Sequence, residues 1–263
     1  METAQLVEIA QREGALLADA AEQAGLEARV PSCPEWTVHD LVAHTGRVHR
    51  WATEFLTQAL TEPHRPPQDP QLAGAALLSW FRSGHEGLVQ ALRAAPVDLE
   101  CWTFLPGSSP LAFWARRQAH ETAVHRVDAE LAAGGGVSPL APEFAADGIA
   151  ELLTGFHARG RSRVHAPRPS VLRLVGTDSE TRWAIRLSAD PLAVEREDPS
   201  ATTAPQPTGP ADQGQDAEVA ECTWTGTTAD LYLTLWNRPP SGEVRTTGDA
   251  SIAALWRETS AIV

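Results

Sequence analysis

Apolar residues change their spacing once along this chain, near residue 165. Before that point they recur every three or four positions, as on one face of a helix, over about 2–24, 38–60, 72–95, 110–134 and 142–161. Beyond it, the stretches SVLRLVG, TRWAIRLS and PLAVERE alternate apolar and polar residues, as half-buried strands do. The pattern predicts an α+β protein made of a four-helix bundle, with a further helix packed on it, followed by a small α/β domain.

Turn-forming residues indicate where these elements begin and end. The stretch 37–40 has the form of a capping box, so the second helix is expected to begin there. The proline-rich stretch 61–71 cannot be helical and is expected to be a crossover loop. Residues from about 198 to 217 are of low complexity and are predicted to form a mobile loop. The expected domains are residues 1–163 and 168–263.

Charge and composition exclude several classes of protein. The formal charge of -13 argues against a nucleic-acid or anionic-membrane partner, since either would need clustered positive charge. No run of about 18 apolar residues occurs and no basic region leads an apolar one at the N-terminus, so we expect a soluble cytoplasmic protein. The three cysteines form no Cys-x-x-Cys pair, which argues against a disulfide framework or a thiolate zinc site.

Candidate chemistry begins with Glu121 and His125 in the fourth helical segment. Residues four apart on a helix lie only about 40° apart around its axis, so both side chains point the same way. Asp128 stays on this face and could orient the site or take part in its chemistry. His120 is about 140° away from His125 and is excluded on that ground.

A histidine also interrupts the apolar seam of the second helix. That seam is formed by Leu41, His44, Val48, Trp51 and Phe55, so His44 is expected to point inward. His39 and His49 lie five positions from His44, off its face, and are expected on the surface. His85 also points inward on the third helix, where a structural or rim role is expected more than a ligand role.

Together, His44, Glu121 and His125 form a candidate metal site, because helical bundles build such sites from side chains on facing helices. Two imidazoles and one carboxylate suit Zn²⁺ best, with Ni²⁺, Mn²⁺ or Fe²⁺ as alternatives. Three protein ligands leave a fourth position for water or substrate. An open zinc lowers the pKa of a bound water or thiol, so hydrolysis and thiol chemistry both remain open at this point.

Three stretches carry a family resemblance: PSCPEWTVHDLVAHTGRVHRW, FWARRQAHETAVHRVDAE, and GTTADLYLTLWNR followed by TTGDASIAALW. They resemble the mycothiol-dependent maleylpyruvate isomerase family, and the resemblance covers nearly the whole chain. It implies a DinB-like four-helix N-terminal bundle and a small α/β C-terminal domain of sterol-carrier shape. The family's zinc ligands fall on His44, Glu121 and His125, and its site-lining acid falls on Asp128. A C-terminal arginine that closes over the site falls on Arg238.

The resemblance implies an enzyme that uses mycothiol, or a similar low-molecular-weight thiol, as a zinc-bound thiolate that attacks a small electrophilic substrate. Catalytic roles are expected for Asp128 and Arg238, and Trp114 and Arg117 are assigned to binding the thiol cofactor. The expected reaction is isomerisation of, or transfer to, that substrate, by a monomer or homodimer. The alternatives are a zinc-dependent hydrolase of a small molecule and a non-catalytic small-ligand-binding protein with a structural metal.

Overall fold

A computed structural model describes residues 1–160, 162–197 and 220–262. They form two compact units, Met1–Ser138 and Pro139–Val263. The loop predicted at about 198–217 lies outside the described residues. No helix in the described part of the chain is long and apolar enough to cross a membrane.

The first unit contains four helices: α1 (Thr3–Ala24), α2 (Val38–Gln58), α3 (Gly74–Ala94) and α4 (Pro110–Ala132). The predicted capping box is present at the start of α2, where the Thr37 amide donates to Asp40 and the Asp40 amide donates to the Thr37 hydroxyl. Ser109 caps α4 and Pro110 occupies its first turn, where a missing amide hydrogen costs nothing. The four-helix fold expected from the spacing is confirmed.

Helix α4 is the central helix of this unit. Of its 23 residues, 17 are buried, on all sides of the helix, and it packs mainly against α1 and α2. Its buried residues include charged side chains: the Arg126 guanidinium donates to Glu13 on α1 and to Glu130 one turn further along α4. Consequently, the direction in which an α4 side chain points does not by itself decide whether that side chain is exposed.

The second unit begins with α5 (Pro142–Ala150), which continues into a π-helical turn (Glu151–Phe156). The remaining elements are β1 (Ser170–Gly176), β2 (Arg182–Leu187), β3 (Ala193–Arg196), β4 (Ala220–Gly226), α6 (Thr228–Leu235), β5 (Arg245–Gly248) and α7 (Ala250–Thr259). The strands form a sheet in the order β3-β2-β1-β4-β5, in which only β1 and β4 are parallel. The small sheet expected from the alternating pattern is therefore present, and β4 and β5 extend it beyond the three stretches that show the alternation.

The sequence placed the helix at 142–161 on the N-terminal bundle and ended that domain at 163. In the structure this segment lies in the second compact unit, where α5 packs against α6. Phe144 of α5, for example, is fully buried and its ring meets that of Tyr232 on α6 at 6.3 Å. Helical periodicity shows that a segment has an apolar face but does not show which unit that face packs on.

Candidate metal site

The structure brings together the three predicted ligands, His44 from α2 and Glu121 and His125 from α4. One donor atom of each lies within 4.8 Å of the others. The Glu121 Oε1 atom lies 3.3 Å from His44 Nε2 and 3.2 Å from His125 Nε2, so one carboxylate oxygen faces both imidazoles. Within the described residues this is the single group of three or more His, Cys, Asp or Glu side chains with such spacing.

Asp128 holds His125 from the opposite side of the ring. Its Oδ2 atom lies 2.9 Å from His125 Nδ1, and its Oδ1 atom accepts a hydrogen bond from the Ser32 hydroxyl. Because a carboxylate can only accept, Nδ1 carries a proton, and Nε2 faces Glu121 Oε1, where a bound metal ion would take the place of the second ring proton. This arrangement of carboxylate, histidine and open donor atom is the usual support for a metal-binding imidazole.

The charges of the cluster fit a divalent cation. Burial alone would lower the pKa of His125, but hydrogen bonds with Asp128 and Glu121 raise it to about 9. Burial would raise the pKa of Glu121, but the hydrogen bonds with His125 and His44 hold it well below its ordinary value. Two carboxylates that stabilise a proton on His125 would also stabilise a metal ion bound at Nε2. Two nitrogens and one oxygen are a donor set that zinc accepts.

Arg117 and Trp114, which were assigned to the thiol cofactor, lie in different surroundings. The Arg117 guanidinium is buried and lies 3.3 Å from Glu121 Oε2, the carboxylate oxygen that does not face the histidines. Trp114 is fully buried, donates its Nε1 hydrogen to the Trp102 carbonyl, and stacks on Phe55. Arg117 is therefore placed to orient Glu121, a candidate metal ligand, whereas Trp114 is part of an aromatic core.

Arg238 belongs to the second unit, just after α6. Its guanidinium Nη1 donates to the Trp236 carbonyl at 2.8 Å, and its amide donates to the Leu233 carbonyl. It lines a pocket of about 370 Å³ with Arg257 and Val244. The role assigned to Arg238 by resemblance remains a prediction.

The other histidines show where the argument from helix faces holds and where it fails. His49, expected on the surface, is fully buried and its Nε2 lies 2.9 Å from the Thr122 hydroxyl, so that prediction is wrong. His120 is also fully buried but lies outside the cluster of three. His39 is half-buried and bonds to the Leu72 carbonyl. His85 bonds to the Gln11 carbonyl, which is a structural role.

Two residues at the site had no signal in the sequence. Ser32 is 96 positions from Asp128, and nothing in the local pattern links them. Trp36 lies in the connection before α2, and its ring lies 4.9 Å from that of His44 and 6.0 Å from that of His125. Trp36 and His44 also line a groove of about 730 Å³, together with Glu35, Arg47 and Asp69. This groove gives a ligand of moderate size access to His44.

Comparisons with known proteins find similarity over nearly the whole chain. The family model described as the Mycothiol maleylpyruvate isomerase N-terminal domain matches residues 7–130, and the MDMPI C-terminal domain model matches residues 143–255. A crystal structure of the mycothiol-dependent maleylpyruvate isomerase is similar in fold, with a TM-score of 0.61 and 16% identity over 94% of this chain and 93% of that one. The structure of a mutant of that isomerase, with one histidine changed to alanine, matches equally well. A search of curated protein sequences gives no significant match.

Proposed function

Because the chain belongs to the mycothiol-dependent maleylpyruvate isomerase family, we propose that it is an enzyme that activates mycothiol, or a similar low-molecular-weight thiol, at a divalent metal. The metal is zinc, and the substrate is a small electrophile that is isomerised or receives the thiol. The observation that carries this proposal is the convergence of His44, Glu121 and His125. When bound, the metal would supply a lowered pKa for a coordinated thiol.

The chain's own residues then have distinct tasks. His44, Glu121 and His125 hold the cation and leave a fourth position free. Asp128 is a positioning residue on this proposal, because its carboxylate contacts His125 Nδ1 and is fully buried. Arg117 fixes the second oxygen of Glu121, so that the first stays directed to the two imidazoles.

Substrate binding falls to residues outside the cluster. The groove lined by Trp36 and His44 gives access to His44, which is a candidate metal ligand. Its volume of about 730 Å³ is sufficient for a thiol cofactor of moderate size. Arg238 would pair with a carboxylate of the substrate, since a guanidinium binds carboxylates through two parallel hydrogen bonds. That role rests on the resemblance of LWNRP to the family.

The test combines metal content with thiol dependence. Purified protein should contain about one zinc per chain, and turnover of maleylpyruvate should require mycothiol. His44→Ala should lose both metal and turnover while its circular dichroism spectrum is unchanged, because His44 is only half-buried. His64→Ala is the matched control, since His64 has nearly the same exposure as His44 and lies outside both the cluster and the residues that line the groove.

Two results would contradict the proposal in different ways. Turnover that is equal with and without thiol would exclude the thiol mechanism and favour hydrolysis. Full retention of zinc by His44→Ala would show that the ligand assignment is mistaken.

A further inference from the structure

A small pocket in the second unit has a positive lining although the chain is strongly acidic. The pocket has a volume of about 300 Å³ and lies beside the end of the π-helical turn. Its polar lining residues are His157, Arg159, Ser162 and Arg163, and its other described lining residues are apolar. A volume of this size is at the lower limit of pockets that bind small molecules.

His157 lines this pocket and has a buried ring nitrogen without a hydrogen-bond partner. Its side chain is 1% exposed, and burial lowers its pKa to about 4, so the ring is neutral at pH 7. Ser162 Oγ accepts a hydrogen bond from the Val164 amide and lies 3.1 Å from His157 Nδ1. We therefore assign the Ser162 hydroxyl as the donor and His157 Nδ1 as the acceptor. The ring hydrogen is then on Nε2, which has no partner among the described residues.

The two arginines provide further donors. Arg163 Nη2 donates to the Ala261 carbonyl at 3.0 Å, which fixes its guanidinium beside the last described residues. Neither Arg159 nor Arg163 forms an ion pair with a carboxylate side chain within residues 1–160, 162–197 and 220–262. Two guanidinium groups therefore line a space in which the described residues offer no anionic acceptor, and the buried His157 ring, with its unpartnered Nε2, lies beside them. Guanidinium groups match the geometry of carboxylates and phosphates.

We propose that this pocket binds a small organic carboxylate, held by Arg159 and Arg163 and accepting a hydrogen bond from His157 Nε2. Phe156 and Ile262 line the same pocket and would contact the carbon skeleton, which favours an organic acid over inorganic phosphate. The site shares no residue with the cluster of His44, Glu121 and His125. It is therefore a second ligand site whose existence does not depend on the proposed function.

The test is calorimetric titration of the full-length protein with succinate, with inorganic phosphate and with succinamide as a neutral analogue. Succinate should bind and succinamide should not. Arg159→Gln and Arg163→Gln should each weaken succinate binding about tenfold or more, because each removes a hydrogen bond between charged groups. Arg168→Gln is the matched control, since Arg168 is an exposed arginine that does not line the pocket.

Nitrogen-15 NMR spectra test the protonation state of the His157 ring directly. Nitrogen-15 spectra should show this histidine as a neutral ring with its hydrogen on Nε2, and succinate should shift that resonance in the wild type but not in Arg163→Gln. No binding of succinate, equal binding by the arginine variants, or tighter binding of phosphate than of succinate would each overturn the proposal.

Discussion

The hydrogen bond between His49 and Thr122 connects the two helices that supply the candidate metal ligands. His49 lies five positions after His44 on α2, and Thr122 directly follows Glu121 on α4. The Thr122 hydroxyl donates to the Gln118 carbonyl at 2.6 Å, so it accepts from His49 Nε2 at 2.9 Å. Thr122→Val has nearly the same shape and removes the hydroxyl that accepts from His49 and donates to the Gln118 carbonyl.

The expected loss of stability follows from burial. Both side chains are 0% exposed, so no water can replace the lost partner of the His49 Nε2 hydrogen. An unsatisfied buried donor costs about 1–3 kcal/mol, and we expect Thr122→Val to lower the free energy of unfolding by about 2 kcal/mol. In the double variant His49→Leu with Thr122→Val neither polar group remains, so the two single effects should overlap by about 1 kcal/mol or more.

Urea unfolding of the metal-free protein, followed by far-ultraviolet circular dichroism, measures these free energies. The double-mutant cycle needs four proteins: the wild type, the two single variants and the double variant. Thr122→Ser is the control, because it keeps the hydroxyl and should lose about 1 kcal/mol or less through its missing methyl group. If the two single changes add within about 0.5 kcal/mol, the bond contributes no coupling and the reasoning is refuted.

Three further changes test other parts of the molecule. Asp128→Asn should weaken metal binding about 10–100-fold in chelator competition without unfolding the bundle, because it removes the charge that supports His125; unchanged affinity would show that Asp128 has another role. Arg126→Met should lower the free energy of unfolding by about 3 kcal/mol, since the buried carboxylate of Glu13 loses its 2.7 Å partner and keeps only Arg12 at its other oxygen; a loss below about 1 kcal/mol in urea would contradict this. The pKa of His157 is about 4 in the folded protein, so an unfolded chain takes up the proton first as pH falls through 6.5. Between pH 6.5 and 4 this group should therefore cost up to about 3 kcal/mol of stability, at about 1.4 kcal/mol per pH unit, and His157→Phe should remove that part of the acid sensitivity.

The candidate ligands on α4 could be predicted from sequence because their relation is local. Spacings of three and four fix the relative directions of Glu121, His125 and Asp128 once the segment is helical. His44 could be predicted because it interrupts an otherwise apolar seam. The same reasoning placed His49 wrongly, since it assumes that each helix has one buried face, while α2 contacts both α3 and α4.

The parts of the site that the sequence did not reveal depend on packing between distant segments. Ser32 reaches Asp128 from the connection before α2, and Trp36 lies over two imidazoles from the same connection. Neither contact follows from periodicity, because a connection has no repeating face to read. The predicted packing of the α5 segment on the bundle was wrong for a related reason. An apolar stripe predicts that a helix face is buried but does not show which element it packs against.

The burial of α4 on all sides explains why only part of the site could be predicted from the sequence. A helix at the centre of a bundle can carry Glu121, His125 and Asp128 only if the surrounding segments satisfy each polar group. His44 and Arg117 contact the two oxygens of Glu121, and Ser32 and His125 contact those of Asp128. Each carboxylate is thus held at both oxygens, and the space between Glu121 Oε1 and the two Nε2 atoms is the position that we propose for a cation. Ser32, which no local pattern could predict, holds one oxygen of Asp128, so Asp128→Asn tests a contact that supports the site without removing a candidate ligand.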